Sequence, residues 1–309
     1  MSWRIRLAVC ALPLLPLLAA CERQTAPPAE AWPVRIVATT NILADTVRHL
    51  APDTFNVAAL MGPGIDPHLY RASAGDVRRL QQADAIVYNG LHLEGKMTDV
   101  LDGLREQQRR VMAAAEALPP DRVHTSHGAH DPHVWMDVQR WRQVSSALAD
   151  QLADWFPGYA TEIAAKRARW EQQLTALDAD VRNELAAVPP RRRVLITAHD
   201  AFEYFGESYN FEVMGLMGIS TLAEAGTNDI RRLADVIVER GIPAIFVEST
   251  ISDRYLRALQ ENVAARGQQV RIGGTLYADA LGEPDGPAGT YFGMIRTNAR
   301  TIAQALAAR

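Results

Sequence analysis

The sequence predicts an α/β protein of two lobes, each a parallel sheet flanked by helices, bridged by one long spine helix. Three observations predict it. Short apolar runs alternate with amphipathic runs through residues 34–114. The same alternation resumes near residue 193. Between the two sets, residues 159–187 carry apolar side chains at helical spacing, and no Gly or Pro interrupts them.

Residues 34–38 read as the first strand, with Thr39, Thr40 and Asn41 as cap candidates for an amphipathic helix running to Leu50. Residues 55–61 read as a second strand. Ser73, with Asp76 three residues later, has the form of a capping box opening a helix to Gln82. A strand at 85–88, a helix at 94–107 and a strand at 110–114 complete the first set, the βαβα pattern of a parallel sheet covered by helices. The spine helix carries Ile163, Ala164, Trp170, Leu174, Leu177, Val181 and Leu185 near i, i+3, i+4 and i+7. At 1.5 Å per residue it is on the order of 40 Å long. In the second set, the strand at 193–198 precedes Asp200, placed to cap the next helix, and a strand follows at 211–216. Asn228 is placed to cap a helix at 230–240, which Gly241 ends. Strands at 244–247 and 270–273 bracket a helix at 253–265, and a helix at 290–308 closes the chain.

The N-terminus carries an export signal. Arg4 and Arg6 precede an apolar run over 7–18 that Pro13 and Pro16 interrupt. The run is too short to cross a bilayer, which takes about 20 apolar residues. Ala19 and Ala20 then precede Cys21. A secretory signal has this form; the competing reading is an uncleaved N-terminal anchor. Leu18-Ala19-Ala20-Cys21 resembles the lipobox of bacterial lipoproteins, where the Cys is acylated and becomes the first residue. The polar stretch to Pro33, with Pro27 and Pro28, suits a tether. The expected division is a signal peptide at 1–20, a lipid-attached tether at 21–33, an N-terminal lobe at 34–157, the linking helix at 158–189 and a C-terminal lobe at 190–309. The expected location is the cell envelope: exported, held to a membrane by lipid, facing the periplasm or the exterior.

Cys10 leaves with the signal and Cys21 carries lipid, so the mature chain has no thiol and any metal site must use His and carboxylates. With 48% hydrophobic and 22% charged residues the chain is an ordinary globular one. A net charge of -4 and the lack of a basic stripe argue against nucleic acid as a partner.

Four residues stand out by position. His68 follows Asp66-Pro67 after the second strand, and His133 follows Asp131-Pro132. His199 sits just past the strand at 193–198, and Asp279 lies beyond the strand at 270–273. Ligands of open α/β sheets bind outside the carboxyl ends of the strands, and two of the four come from each side of the spine. Each alone reads first as polar loop surface. Together, three imidazoles and a carboxylate suit a divalent transition metal. The prolines restrict the backbone before His68 and His133. Asp66 and Asp131 read either as partners orienting the imidazoles or as ordinary loop caps. Glu248, at a strand end, reads as a hydrogen-bonding neighbour of the site.

The motifs carry a resemblance. They are Thr39-Thr40-Asn41-Ile42, Gly64-Ile65-Asp66-Pro67-His68, Asn89-Gly90-Leu91, Asp131-Pro132-His133-Val134-Trp135-Met136-Asp137, Thr197-Ala198-His199-Asp200-Ala201-Phe202, Val247-Glu248-Ser249 and Leu276-Tyr277-Ala278-Asp279-Ala280-Leu281-Gly282. From Val34 to the C-terminus the chain resembles the TroA-like solute-binding lipoproteins of zinc and manganese ABC importers. The resemblance implies that His68, His133, His199 and Asp279 hold one Zn²⁺ or Mn²⁺ as transported ligand between the lobes. It also implies an ABC transporter permease as partner and no enzymatic activity. The chain is expected to act as a monomer.

The chain departs from the family pattern in places. Val138 stands where the family often has Pro. His199 stands where many manganese members have Glu, which leans toward zinc or a site accepting both. In place of a long His- and acid-rich loop there are only His124, His127, His130 and Asp131. These read as a solvated linker ahead of a metal-collecting loop. Three other readings stay open. A zinc hydrolase would use Glu203 as base, but the His-Glu-x-x-His pattern is missing. A binder of a larger chelate such as a siderophore or haem would leave the four-residue set unexplained. An adhesin is permitted by the anchor and supported by nothing else.

Overall fold

The computed structural model describes residues 33–126 and 128–307. The expected signal peptide, Cys21, the tether before Pro33, His127 and Ala308 lie outside them.

β1 (Arg35–Ala38) leads into α1 (Asn41–Leu50), and Thr40 is its cap: the hydroxyl accepts the Leu43 N–H at 3.2 Å. β2 (Asn56–Ala59) is followed by α2 (Ala74–Gln82). Its capping box is the one expected, Ser73 accepting from the Asp76 N–H at 3.2 Å and Asp76 from the Ser73 N–H at 2.9 Å. β3 (Ala85–Tyr88), α3 (Thr98–Glu106) and β4 (Val111–Ala113) follow. The four strands form one parallel sheet in the order β2-β1-β3-β4.

The helix expected from residue 94 starts at Thr98. Leu91 and His92 take positive φ angles of 52° and 64°, and Glu94 turns inward. Its carboxylate accepts from Thr39 Oγ1 at 2.6 Å and from the N–H groups of Asn89 and Gly90 at 2.8 and 3.1 Å. Buried polar bonding thus overrides a helical pattern.

A small hairpin, β5 (Thr125–Ser126) with β6 (Ala129–His130), precedes α4 (Val138–Trp155). No helix was expected here, although Val138, Trp141, Val144, Leu148 and Leu152 repeat at three and four residues and are buried. Asp137 caps it, accepting from the Gln139 and Arg140 N–H groups at 2.7 and 3.2 Å. The expected spine is α5 (Ala160–Leu185), 26 residues long, packed on α4 and α1.

In the second half come β7 (Val194–Thr197), α6 (Glu203–Tyr209), β8 (Glu212–Gly215), α7 (Thr227–Arg240), β9 (Ala244–Glu248), α8 (Arg254–Ala264), β10 (Arg271–Leu276) and α9 (Tyr291–Ala307). β7 pairs with β8 and β9 with β10, all parallel, while β7 lies beside β9 without a ladder of its own. Two cap assignments differ from expectation. Phe202, not Asp200, stands at the start of α6, and no side chain caps it. At α7 the cap is Gly226, whose N–H donates to Asp229 at 3.1 Å; Asn228 is already inside the helix. Gly241 ends α7 as expected. β10 runs past its expected end at 273, through a register shift between Ile272 and Gly274.

The main apolar core does not stop at α5. It joins Ile36 and Trp141 from the first half to Phe205, Phe246 and Ile302 from the second, with Trp170 and Leu177 of α5 between them. Pro33–Arg309 is accordingly one compact unit.

Candidate metal centre

Four loops bring His68, His133, His199 and Asp279 together, and each is at most 3% exposed. His68 lies between β2 and α2, where its N–H donates to Asp66 Oδ1 at 2.9 Å. His133 follows β6. Its N–H and its Nδ1 both meet Asp131 Oδ1, at 2.9 and 2.7 Å. The loop is pinned from outside as well: Tyr204 Oη donates to the Asp131 carbonyl at 2.8 Å, and Asn89 Nδ2 to the Pro132 carbonyl at 3.1 Å. His199 follows β7. Glu248, the last residue of β9, accepts from its N–H at 2.9 Å and stands 2.6 Å from its Nδ1. Asp279 follows β10, and the carbonyl before it, that of Ala278, accepts from Trp135 Nε1 at 2.8 Å.

Because carboxylates occupy Nδ1 of His133 and His199, the Nε2 atoms of those rings face inward. Nε2 of His133 is 3.3 Å from Nε2 of both His68 and His199. Asp279 Oδ1 is 3.4 Å from His133 Nε2, and its Oδ2 is 3.3 Å from His199 Nε2 and 3.9 Å from His68 Nε2. The edge of a tetrahedron is 1.63 times its centre-to-corner distance. Metal–nitrogen bonds of about 2.0–2.1 Å therefore call for edges of about 3.3–3.4 Å. Both Asp279 oxygens are buried, and the nearest donors are Nε2 of His133 and His199 at 3.4 and 3.3 Å, so the carboxylate is costly there unless a cation faces it, either those protonated rings or a metal ion that replaces their protons. Among the described residues no other group of His, Cys, Asp and Glu side chains is gathered closely enough to hold a metal ion.

Electrostatics separate the three rings. Burial pushes His68 down to about 3, and the charges on His133 and His199 add to this against the pull of Asp279. At His133 burial acts in the same sense, but Asp131 and Asp279 outweigh it and raise the ring to about 9. At His199 burial is likewise overcome, by Glu248 and Asp279, which hold the ring well above the usual imidazole range. Asp279 lies well below the usual carboxylate range, because His199 and His133 overcome its burial.

All four expected residues therefore meet. Asp131 fills both roles open to it, meeting the His133 ring and its backbone N–H, and Glu248, expected to hydrogen-bond near the site, does so at the His199 ring. Asp66 does not meet its imidazole: it accepts the His68 backbone N–H, and its other oxygen accepts from Thr221 Oγ1 at 2.6 Å. His124 stacks on Tyr204 with 4.2 Å between ring centres and places Nε2 2.8 Å from Glu207, while His130 is exposed. Glu203, half-buried near Asp200 and Asp131, is raised to about 7 by burial and those charges. The roles of Glu94, Asn89, Tyr204 and Thr221 were missed. Their partners stand up to 155 residues away, so no local spacing announces them.

The family model described as ZnuA, zinc-uptake complex component A, periplasmic, matches residues 36–305. The chain belongs to the ZnuA family. Among its family relatives, it is 46% identical over 273 residues to zinc-binding protein TroA of Treponema pallidum, covering 88% of each chain. It is 40% identical over 291 residues to manganese-binding lipoprotein MntA of Bacillus subtilis, covering 94% of this chain and 95% of that one. The solved structure of the periplasmic zinc-binding protein TroA from Treponema pallidum superimposes with a TM-score of 0.87 at 45% identity, covering 89% of this chain and 99% of that one.

Proposed function

We propose that this chain is the extracytoplasmic substrate-binding protein of an ABC importer. It takes up one divalent transition-metal ion, zinc or manganese, as cargo at His68, His133, His199 and Asp279, and delivers it to the membrane permease. The observation that carries the reading is the meeting of three imidazole Nε2 atoms with a buried carboxylate that no described group outside those rings satisfies. Neutral imidazole suits both metals, and the carboxylate supplies charge. Of the two relatives above, one is named for zinc and one for manganese.

The rest of the reading follows from the same supports. The lobes are 34–157 and 190–309, with 158–189 as the link, and the ion sits where loops of both converge. The chain acts as a monomer and without enzymatic activity: the four side chains supply a full tetrahedral set, whereas a catalytic zinc keeps a position open for water. Cys21 carries the lipid that holds the protein to the cell envelope, a reading supported by the four residues ending at Cys21 and by the lipoprotein name of the MntA relative.

Elemental analysis tests the reading on soluble protein starting at residue 22, purified without tags or chelators. One zinc or manganese ion per chain is expected, and its loss in His199→Ala. Protein without metal, whose melting temperature does not rise on adding Zn²⁺ or Mn²⁺, would sink the reading.

A further inference from the structure

His68 differs from the other three members of the set in one respect: it lines an open cleft. The cleft has a volume of about 540 Å³, and its walls include Pro132, Asp200 and, from the loop after β8, residues 216–220 and 223–225. His133, His199 and Asp279 do not reach its wall. An ion moving between the four-residue set and this cleft has to pass His68.

The loop bearing His68 is tied to the loop after β8 by one hydrogen bond. Thr221 Oγ1 donates to Asp66 Oδ2 at 2.6 Å, while Asp66 Oδ1 holds the His68 N–H at 2.9 Å. A single carboxylate therefore joins the His68 backbone to the loop after β8, whose residues on either side of Thr221 line the cleft. Among the described residues this is the one hydrogen bond between the His68 loop and the second half of the chain. Apolar packing does little to hold these loops closed. Ile65, Leu69 and Leu222, which flank the two partners, are 40, 49 and 54% exposed, while Thr221 itself is 8% exposed.

We propose that Thr221 is a positioning residue: its hydroxyl, through Asp66, latches the His68 loop shut and sets how long a bound ion stays. The proposal rests on the metal-binding reading above. With the bond made, the His68 ring is held against its three neighbours. With it broken, the loop is released on the side that faces the cleft, and the ion loses the ligand between it and solvent. Capture and release then share one gate, whose cost of opening is a hydrogen bond to a carboxylate.

The test is the rate of Zn²⁺ loss to excess EDTA, followed by stopped flow, with ion content measured on the same samples. At saturating EDTA the rate reports opening of the protein. Thr221→Val keeps the shape and removes the donor; it is expected to release Zn²⁺ about tenfold faster. Thr221→Ser restores the donor and is expected to return the rate to that of the unsubstituted chain. Both should melt at the unsubstituted temperature without metal, which separates a latch from general loosening. Thr221→Ala replaces Thr221→Val if the latter misfolds. An unsubstituted chain that loads one ion, with Thr221→Val releasing it no faster, would overturn the latch and leave the metal-binding reading standing. A Thr221→Ser rate as fast as that of Thr221→Val would do the same. An unsubstituted chain that takes up no ion would overturn both.

Discussion

His68 and His133 place their Nε2 atoms 3.3 Å apart and yet hold protons differently. Burial leaves His68 neutral near pH 7, its value pushed down to about 3. Burial opposes a charge on His133 too, but Asp131 at Nδ1 and the Asp279 carboxylate raise it to about 9. His199 too is held well above the usual imidazole range by Glu248 and Asp279, which overcome its burial. The metal-free fold therefore favours protonated His133 and His199. That stabilisation is complete below the ordinary imidazole value of about 6.5 and is lost, at His133, as pH rises through about 9. A metal ion works against it, since each ligand ring must give up its inward proton. Uptake near pH 7 should therefore release about two protons per ion, one each from His133 and His199. Affinity should fall as pH is lowered. Calorimetry in buffers of different ionisation enthalpy counts the protons, and a count of zero would contradict the charge state assigned to the two rings.

The strand ends decide where the side chains stand. The backbone at the end of β8 lies close against the loop that carries His199: a side-chain carbon at Gly215 would come within 2.5 Å of the Asp200 nitrogen and 2.7 Å of the Met217 carbonyl. Neither backbone group can move without shifting the His199 loop. Gly215→Ala should therefore cost on the order of 1–3 kcal/mol in stability and weaken metal binding as well. Thermal melting with and without Zn²⁺ checks both, and a variant as stable and as tightly metal-binding as the parent would show that the loop has room to spare. The elements themselves were legible where a cap marked them, as at Ser73–Gln82, or an apolar pattern did, as at Ala85–Tyr88 and the Ala160–Leu185 spine. The start of α3 was not legible, because Glu94 is spent on Thr39, Asn89 and Gly90, which only the folded chain brings to it. α4 was legible from its apolar spacing and went unread beside the motif that precedes it.

At the scale of the molecule, α5 ties the two halves into one core. Trp170, 1% exposed, lies against His49 of α1 and Phe292 of α9, with ring centres 4.7 Å from each, and 6.2 Å from Tyr291. Removing that ring opens a cavity among α1, α5 and α9, so Trp170→Ala should cost about 3–5 kcal/mol. Of the rings around it, Tyr291 reaches the loop after His133, its Oη donating to the Trp135 carbonyl at 2.8 Å; the Trp170 indole donates no hydrogen bond among the described residues, and one ion per chain should still bind. Denaturant titration and elemental analysis check the pair; a loss within about 0.5 kcal/mol, the range of an ordinary surface change, would mean that the spine carries little of the stability. The same continuity favours small loop movements over wide swings of the halves as the means of capture, because apolar packing is lost quickly when surfaces part.

By itself the sequence determined the class of fold, the spine and the four residues that meet. Helical and strand periods, caps and the Asp-Pro-His repeats are local, and local spacing is what a linear chain displays. The tertiary structure alone decided that Nε2 faces inward, that Asp66 serves a backbone N–H and Thr221 in place of an imidazole, and that His68 faces the cleft. Apart from Asp131 and Asp66, each two residues from the group it meets, those choices depend on Glu248 and Thr221, which lie 49 and 155 residues from the groups they hold. Burial and hydrogen-bond geometry at such separations exist only once the chain has folded.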